Sequence, residues 1–354
     1  MGRSQPKLLT RAINQGTPLI DGDKAVFLWK GRRPPKLIGD FTEWEDGTPA
    51  EMSRIAPGVW TYELLVPSDA YIEYAFMDGI ERFPDPFNSR KVLNRLGKAN
   101  NFFYLPEGKP TPLADRRKGV SRGKLIRYVI EGSRLESMVG GKRVIYLYQP
   151  PTTEPCPLIV VMDGREYLRW VHLPNIVDNL IVEKRIRPVA LAMVTSDGRS
   201  RNVEYACSEA TIGFLINSVI PLSQENLNLV DIKALPGAYG LLGASMGGLM
   251  ALYAALRFPQ IFGHVLSQSG AFSSETFDYV VFDLIRFSNI QLPKMWIDVG
   301  QYDYQGLITA NQRMHELLIS KHCEVLYRQY YAGHNFSAWR DDVWRGLEYL
   351  YKRG

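Results

Sequence analysis

Cysteine and histidine are scarce in this chain, at three and five among 354 residues. Cys156, Cys207 and Cys323 are odd in number and far apart, which argues against a disulfide framework or a cysteine zinc site. His315-Glu316 opens like a zinc-protease motif, but position 319 is isoleucine where the second histidine would stand. No metal and no cofactor is expected. Long apolar runs are missing too. None is sufficient to span a bilayer, and Met1-Gly2-Arg3-Ser4-Gln5-Pro6-Lys7 has no apolar signal core. A membrane is therefore not an expected partner. A cytoplasmic location is the default expectation, with secretion if a signal peptide has been removed. A strong charge of one sign is also absent: the net charge is +5 with Lys and Arg scattered. The dense cluster Arg116-Arg117-Lys118, with Arg122 and Lys124, reads as a solvated linker, because no aromatics are interleaved as a nucleic-acid face requires. Composition leaves the oligomeric state open.

What is present divides into two patterns. Behind an N-terminal arm (1–21), residues 22–106 alternate short β-rich runs with turns, as in Ala25-Val26-Phe27-Leu28-Trp29 and Ile72-Glu73-Tyr74-Ala75-Phe76-Met77. Runs at this spacing predict an all-β sandwich. A proline-rich, then basic, linker is expected over 107–120. From 121 to 354 the pattern changes. A hairpin, Leu125–Ile130 with Arg143–Tyr148, precedes strands at 158–162, 189–194, 240–243, 263–267 and 294–299, which alternate with helical segments. That alternation predicts a mainly parallel sheet flanked by helices. A final helix is expected at about 339–352.

One motif carries chemistry. Gly243-Ala244-Ser245-Met246-Gly247 is Gly-x-Ser-x-Gly, set between a short apolar run (Tyr239–Leu242) and a helix former (Leu249–Phe258) that stops at Pro259. A serine on a sharp strand-to-helix turn exposes its hydroxyl beside free backbone N–H groups, so Ser245 is the expected nucleophile. The expected base is His334, in a loop before the final helix; His264, His315 and His322 fall on a strand or a helical stretch. The expected acid is Asp303, just past the strand Lys294–Val299, with Asp298 inside that strand as the alternative. Asp341 and Asp342 read as N-terminal residues of the last helix. The oxyanion hole would use the N–H of Met246 and that of Arg165 or Gly164, after the run Leu158–Asp163.

With these residues in hand, the stretch 121–354 resembles the esterase D-like branch of the α/β-hydrolases, which includes enterochelin and feruloyl esterases. The matching pieces are Met162-Asp163-Gly164, Arg201-x-x-Glu204-Tyr205, Gly243–Gly248 and Gly333-His334-x-x-x-x-Trp339-Arg340. The resemblance implies the triad Ser245, Asp303 and His334, with Met246 and Arg165 as oxyanion donors. Arg201 either lines the substrate cleft or fixes the loop after strand 189–194. Trp339 either stacks on an aromatic acyl group or anchors the last helix. The N-terminal part resembles the Ig-like early-set module of glycogen-binding domains, through Gly39-Asp40-Phe41-Thr42-Glu43-Trp44, Gly58-Val59-Trp60, Asp85-Pro86 and Leu96-Gly97-x-x-Asn100-Asn101. Of the sugar-binding residues of that module Asn100 remains, while the lysine position holds Ala75 and the Asp-Gly tryptophan is absent. A module that packs on the esterase and shapes its cleft is expected in preference to a carbohydrate binder.

The expected function is therefore serine ester hydrolysis on a small-molecule substrate: an aromatic ester, feruloyl on a glycan or a catecholate siderophore, or a short-chain acyl ester. Acyl transfer would use the same parts, and a non-catalytic binding scaffold is the reading of a different class. The segment 272–292 either covers the site or forms a packed helical insertion.

Overall fold

A computed structural model of the chain describes residues 5–94, 97–131, 142–289 and 291–353. Residues 1–4 of the expected arm and Leu96 of the early-set run lie outside the described residues. The chain divides into two compact units. The first joins Met1–Pro110 with Gly300–Gln305 and Tyr330–Ala338; the second holds Thr111–Val299, Gly306–Gln329 and Trp339–Gly354.

In the first unit a helix over Gln5–Gln15 precedes nine short strands: β1 (Leu19–Asp21), β2 (Lys24–Lys30), β3 (Lys36–Gly39), β4 (Ser53–Ala56), β5 (Val59–Leu65), β6 (Tyr71–Asp78), β7 (Glu81–Phe83), β8 (Lys91–Leu93) and β9 (Ala99–Tyr104). They form two antiparallel sheets, ordered β1-β2-β5-β4 and β3-β6-β9-β8, with β7 pairing β6. The period of two along β2 turns Ala25 and Phe27 into a core shared with Tyr74 and Phe76 of β6 and Phe103 of β9. Phe27 and Tyr74 meet edge to face, with ring centroids 4.8 Å apart. Leu28 faces the other way, into a small cluster with Ala12 and Leu19. The arm is thus a folded part of this unit, a helix and a strand.

The second unit is built on an eight-stranded sheet: β10 (Lys124–Ile130), β11 (Arg143–Gln149), β12 (Leu158–Val161), β13 (Ala190–Val194), β14 (Tyr239–Ala244), β15 (Phe262–Gln268), β16 (Lys294–Gly300) and β17 (Val325–Tyr330), in the order β10-β11-β13-β12-β14-β15-β16-β17. The hairpin β10–β11 and the pair β11–β13 are antiparallel. From β13 through β12, β14, β15 and β16 every pairing is parallel. The strands β12, β13 and β14 are buried at every residue, which is why they read as unbroken apolar runs: helices cover both faces of such a sheet. The helix Met246–Arg257 is buried from Gly247 to Leu256. Of the two expectations for 272–292, the packed insertion describes the short helix Val281–Arg286, since Phe272, Val281, Phe282 and Ile285 join the main core while Phe277 is exposed.

Candidate active site

Ala244 ends β14 level with Gln268 of β15, and Gln268 is level with Asp298 of β16. The carboxyl ends of these parallel strands therefore line one sheet edge, the edge where open α/β sheets bind ligands. Ser245 follows directly. Its N–H donates to the Gln268 carbonyl at 2.9 Å, and its backbone turns at φ 57°, ψ −126°. For a residue with a side chain this is a strained conformation. Its carbonyl accepts from the N–H groups of Gly248 and Leu249, so the helix starts at once. The turn is that tight only because the flanking residues are glycines. A β-carbon on Gly243 would lie 2.3 Å from the Gly247 carbonyl oxygen, and one on Gly248 2.4 Å from Ser267 Oγ. Met246 is the first helical residue. Its N–H has no acceptor within the helix and sits at the positive end of the helix dipole.

The loop after β12 carries the second expected donor. Asp163 has φ 51° and is followed by a single turn, Gly164–Glu166. Gly164 packs against β13 so closely that a β-carbon would lie 2.2 Å from the Met193 carbonyl carbon. The Arg165 side chain is exposed. Arg201 fixes this loop. Its Nε donates to both Asp163 oxygens at 2.8 and 3.0 Å, and its Nη2 donates to Oδ2 at 2.6 Å and to the Ala244 carbonyl at 3.3 Å. The Asp163 N–H donates to Tyr205 Oη at 3.1 Å. From sequence, Arg201 either lines the substrate cleft or fixes the loop after strand 189–194; its ion pair ties Asp163, at the start of the loop after β12, to the stretch that follows β13. Asp163, which was only part of a motif in the sequence, is the anchor.

In the first unit, His334 Nδ1 lies 2.9 and 3.0 Å from the two oxygens of Asp303, which is 3% exposed. Asp303 Oδ1 also accepts the N–H of Tyr304 at 2.7 Å. The Tyr304 ring packs on the imidazole at 5.7 Å, and burial pushes its phenol up to about 12. Tyr304 was not singled out by sequence reasoning; only its place beside Asp303 could have marked it. An imidazole whose Nδ1–H is held by a buried carboxylate presents Nε2 as the basic nitrogen.

Asp298, the alternative acid, is differently placed. It is fully buried and accepts from Trp296 Nε1 at 2.7 Å and Gln268 Nε2 at 3.5 Å, and burial, then Asp342, raises its pKa well above the usual carboxylate range. Trp339 is 3% exposed, and its indole N–H donates to Ser269 Oγ at 3.2 Å. Of its two roles the structure displays packing. Asp341 and Asp342 do not stand at a helix start. The last helix runs over Phe336–Tyr351, because Asn335 Oδ1 caps it by accepting the Ala338 N–H at 2.9 Å. Asp342 instead accepts from Arg328 and Arg345. His264 is packed against Tyr351 and His315 stacks on Tyr327. Among the described residues no cluster of His, Cys, Asp or Glu could hold a metal, and no helix is long and apolar enough to cross a membrane.

This sheet, elbow and histidine–carboxylate pair define the class as an α/β hydrolase preceded by a β-rich domain. The Esterase family model matches residues 136–350, so the chain belongs to that family, and it is a carboxylic ester hydrolase. It is 27% identical to an iron(III) enterobactin esterase of Dickeya dadantii, over 95% of this chain and 90% of that one. Among solved structures it resembles the ferric enterobactin esterase of Salmonella typhimurium, with a TM-score of 0.78 at 20% identity, covering 92% of this chain and 93% of that one. A ferulic acid esterase from Anaeromyces mucronatus shares the fold over 68% of this chain and 95% of its own, with a TM-score of 0.55 at 16% identity.

Proposed function

We propose that the chain hydrolyses the ester bonds of a ferric catecholate siderophore of the enterobactin kind, using Ser245, His334 and Asp303. The observation that carries the substrate class is the extent of the likeness. The Dickeya relative is matched over 95% of the chain, N-terminal β-rich part included, whereas the ferulic acid esterase is matched over 68%. The net charge of +5 suits an anionic iron–catecholate substrate.

In this reading Ser245 Oγ attacks the ester carbonyl while His334 Nε2 takes the hydroxyl proton. Asp303 holds Nδ1–H and stabilises the imidazolium. The N–H groups of Met246 and Arg165 donate to the oxyanion. Collapse of the tetrahedral intermediate breaks the bond to the leaving alcohol, which receives the proton from His334. Water then attacks the acyl-enzyme and gives a proton to the same nitrogen; collapse breaks the bond to Ser245 Oγ, which takes that proton from His334, and the acid is released. The carboxylate pair on Nδ1 and the strained turn at Ser245 support these roles.

The test is a hydrolysis panel on wild type and Ser245→Ala, containing p-nitrophenyl acetate and butyrate, methyl ferulate, and a catecholate trilactone with and without iron. Serine-dependent turnover concentrated on the trilactone is expected. Serine-dependent turnover confined to methyl ferulate would replace the siderophore by a feruloyl ester, and turnover indifferent to Ser245→Ala would end the triad reading.

A further inference from the structure

The residue just before His334 rests on an acid 293 positions away in the chain. A β-carbon built on Gly333 would lie 2.2 Å from both Cγ and Oδ1 of Asp40, and 2.7 Å from its Cβ. The carboxyl group is therefore packed directly against the Gly333 backbone, within the first unit. Asp40 cannot easily yield. It is 2% exposed, its Oδ2 accepts the Glu73 N–H at 2.8 Å, and its Oδ1 accepts the Trp44 indole N–H at 3.0 Å. Glu73 is held in turn, accepting from Tyr71 Oη at 2.9 Å and from Asn100 Nδ2 at 2.7 Å. The strand β6 also meets the histidine loop, where the Tyr71 N–H donates to the Tyr331 carbonyl at 2.9 Å. The stretch bearing Asp303 joins the same loop: the Tyr302 N–H donates to the Ala332 carbonyl at 3.1 Å. Residues 331, 332 and 333 are thus each held, on the approach to His334.

Shape alone does not call for an acid at position 40. Burial, followed by Glu73 and with a smaller contribution from Asp303, raises the Asp40 pKa well above the usual carboxylate range. A buried acid with a perturbed pKa, packed behind a loop that carries a histidine–carboxylate pair, is a candidate for a functional position. The same network accounts for Asn100, the remaining residue of the sugar-binding pattern. It is 2% exposed, with its amide spent on Glu73 and its oxygen accepting from Arg82.

We infer that Asp40 is a positioning residue for His334, so that the N-terminal β-rich stretch sets the rate of ester hydrolysis through the backbone of Gly333. The inference rests on the triad reading given above. The device is local and depends on the carboxyl group being held at both oxygens against the Gly333 backbone: a shift of about 1 Å in a catalytic base is enough to cost roughly a hundredfold in rate.

The test is a double-mutant cycle in the full chain, read on the iron–trilactone substrate. Gly333→Ala is expected to lower kcat about tenfold or more while KM changes less than about threefold. In the Asp40→Gly background, where the space is vacant, the same alanine is expected to cost less than about twofold. Losses that multiply, or a Gly333→Ala enzyme with the wild-type kcat, would overturn the inference. If Asp40→Gly does not fold, Asp40→Asn keeps the shape of the side chain and one of its two acceptors. There the low-field proton resonance of His334 Nδ1, recorded without substrate, is expected to move while the unfolding midpoint stays near wild type. An unmoved resonance with unchanged kcat overturns it. Failure of the parent reading has its own signature, wild-type turnover indifferent to Ser245→Ala, whatever the Asp40 variants do.

Discussion

Arg201 grips Asp163 through two nitrogens, with three contacts between 2.6 and 3.0 Å, and both residues are buried. Burying two charges costs hydration, and the pair compensates only while both partners are present. Arg201→Met should therefore destabilise the protein by about 3–5 kcal/mol, seen as a lower urea midpoint. Adding Asp163→Leu should return most of that loss, because the orphaned carboxylate goes with it. A wild-type midpoint for Arg201→Met alone would show that the pair does not hold the loop after β12.

Two carboxylates compete for the role of triad acid, and isosteric amides separate them. Asp303→Asn should lower kcat by about four orders of magnitude, since an amide favours the wrong imidazole tautomer. Asp298→Asn should leave kcat within about threefold, because that side chain is spent on Trp296 and Gln268. Steady-state kinetics on one serine-dependent substrate decides it; equal losses would mean the acid has been misassigned.

Asp298 also predicts a pH dependence of stability. Its folded pKa lies above the unfolded value, so its contribution is fully present below about pH 4 and is lost as pH rises toward the folded pKa. The stability of Asp298→Asn relative to wild type should therefore increase as pH rises from about 5 to 8. Urea unfolding at several pH values measures it, and a difference independent of pH would contradict the raised pKa.

The three cysteines should be slow toward thiol reagents in the native state. Burial pushes Cys156 and Cys323 up to about 11 and Cys207 up to about 12, so little thiolate forms near neutrality. Titration with a chromogenic disulfide should find almost no fast thiol at pH 7.5 and all three after denaturation. A fast native thiol would mean that one of these sites opens.

Much of the second unit was legible in the residues themselves. The elbow was readable because so tight a turn leaves no room for a β-carbon at Gly243 and Gly248, and because β14 and the helix after it have distinct apolar patterns. The pairing of Asp303 with His334 was readable, because Asp303 is the first acid past a buried strand. What could not be read depends on pairings between distant positions. Nothing local to Asp163 announces Arg201, and nothing local to Gly333 announces Asp40. The last helix starts three residues before the expected 339, because Asn335, directly after His334, caps it. The helix and strand within the arm could not be read, because the burial of Ala12 against Leu19 and Leu28 depends on tertiary contacts.

The first unit is assembled from three separated stretches of chain, ending with Tyr330–Ala338. Cutting after Pro110 would not release it intact as a transplantable cassette, because the Tyr331 carbonyl that receives the Tyr71 N–H would be left behind. The same holds on the ribosome. The first 110 residues emerge some tens of seconds before the last of their partners, at about 5–20 residues per second. Until then the aromatic edge formed by Tyr71, Phe102 and Tyr104 waits uncovered for Tyr330, Ala332 and Ala338. The loop that carries His334 is also what finishes the part of the protein made first.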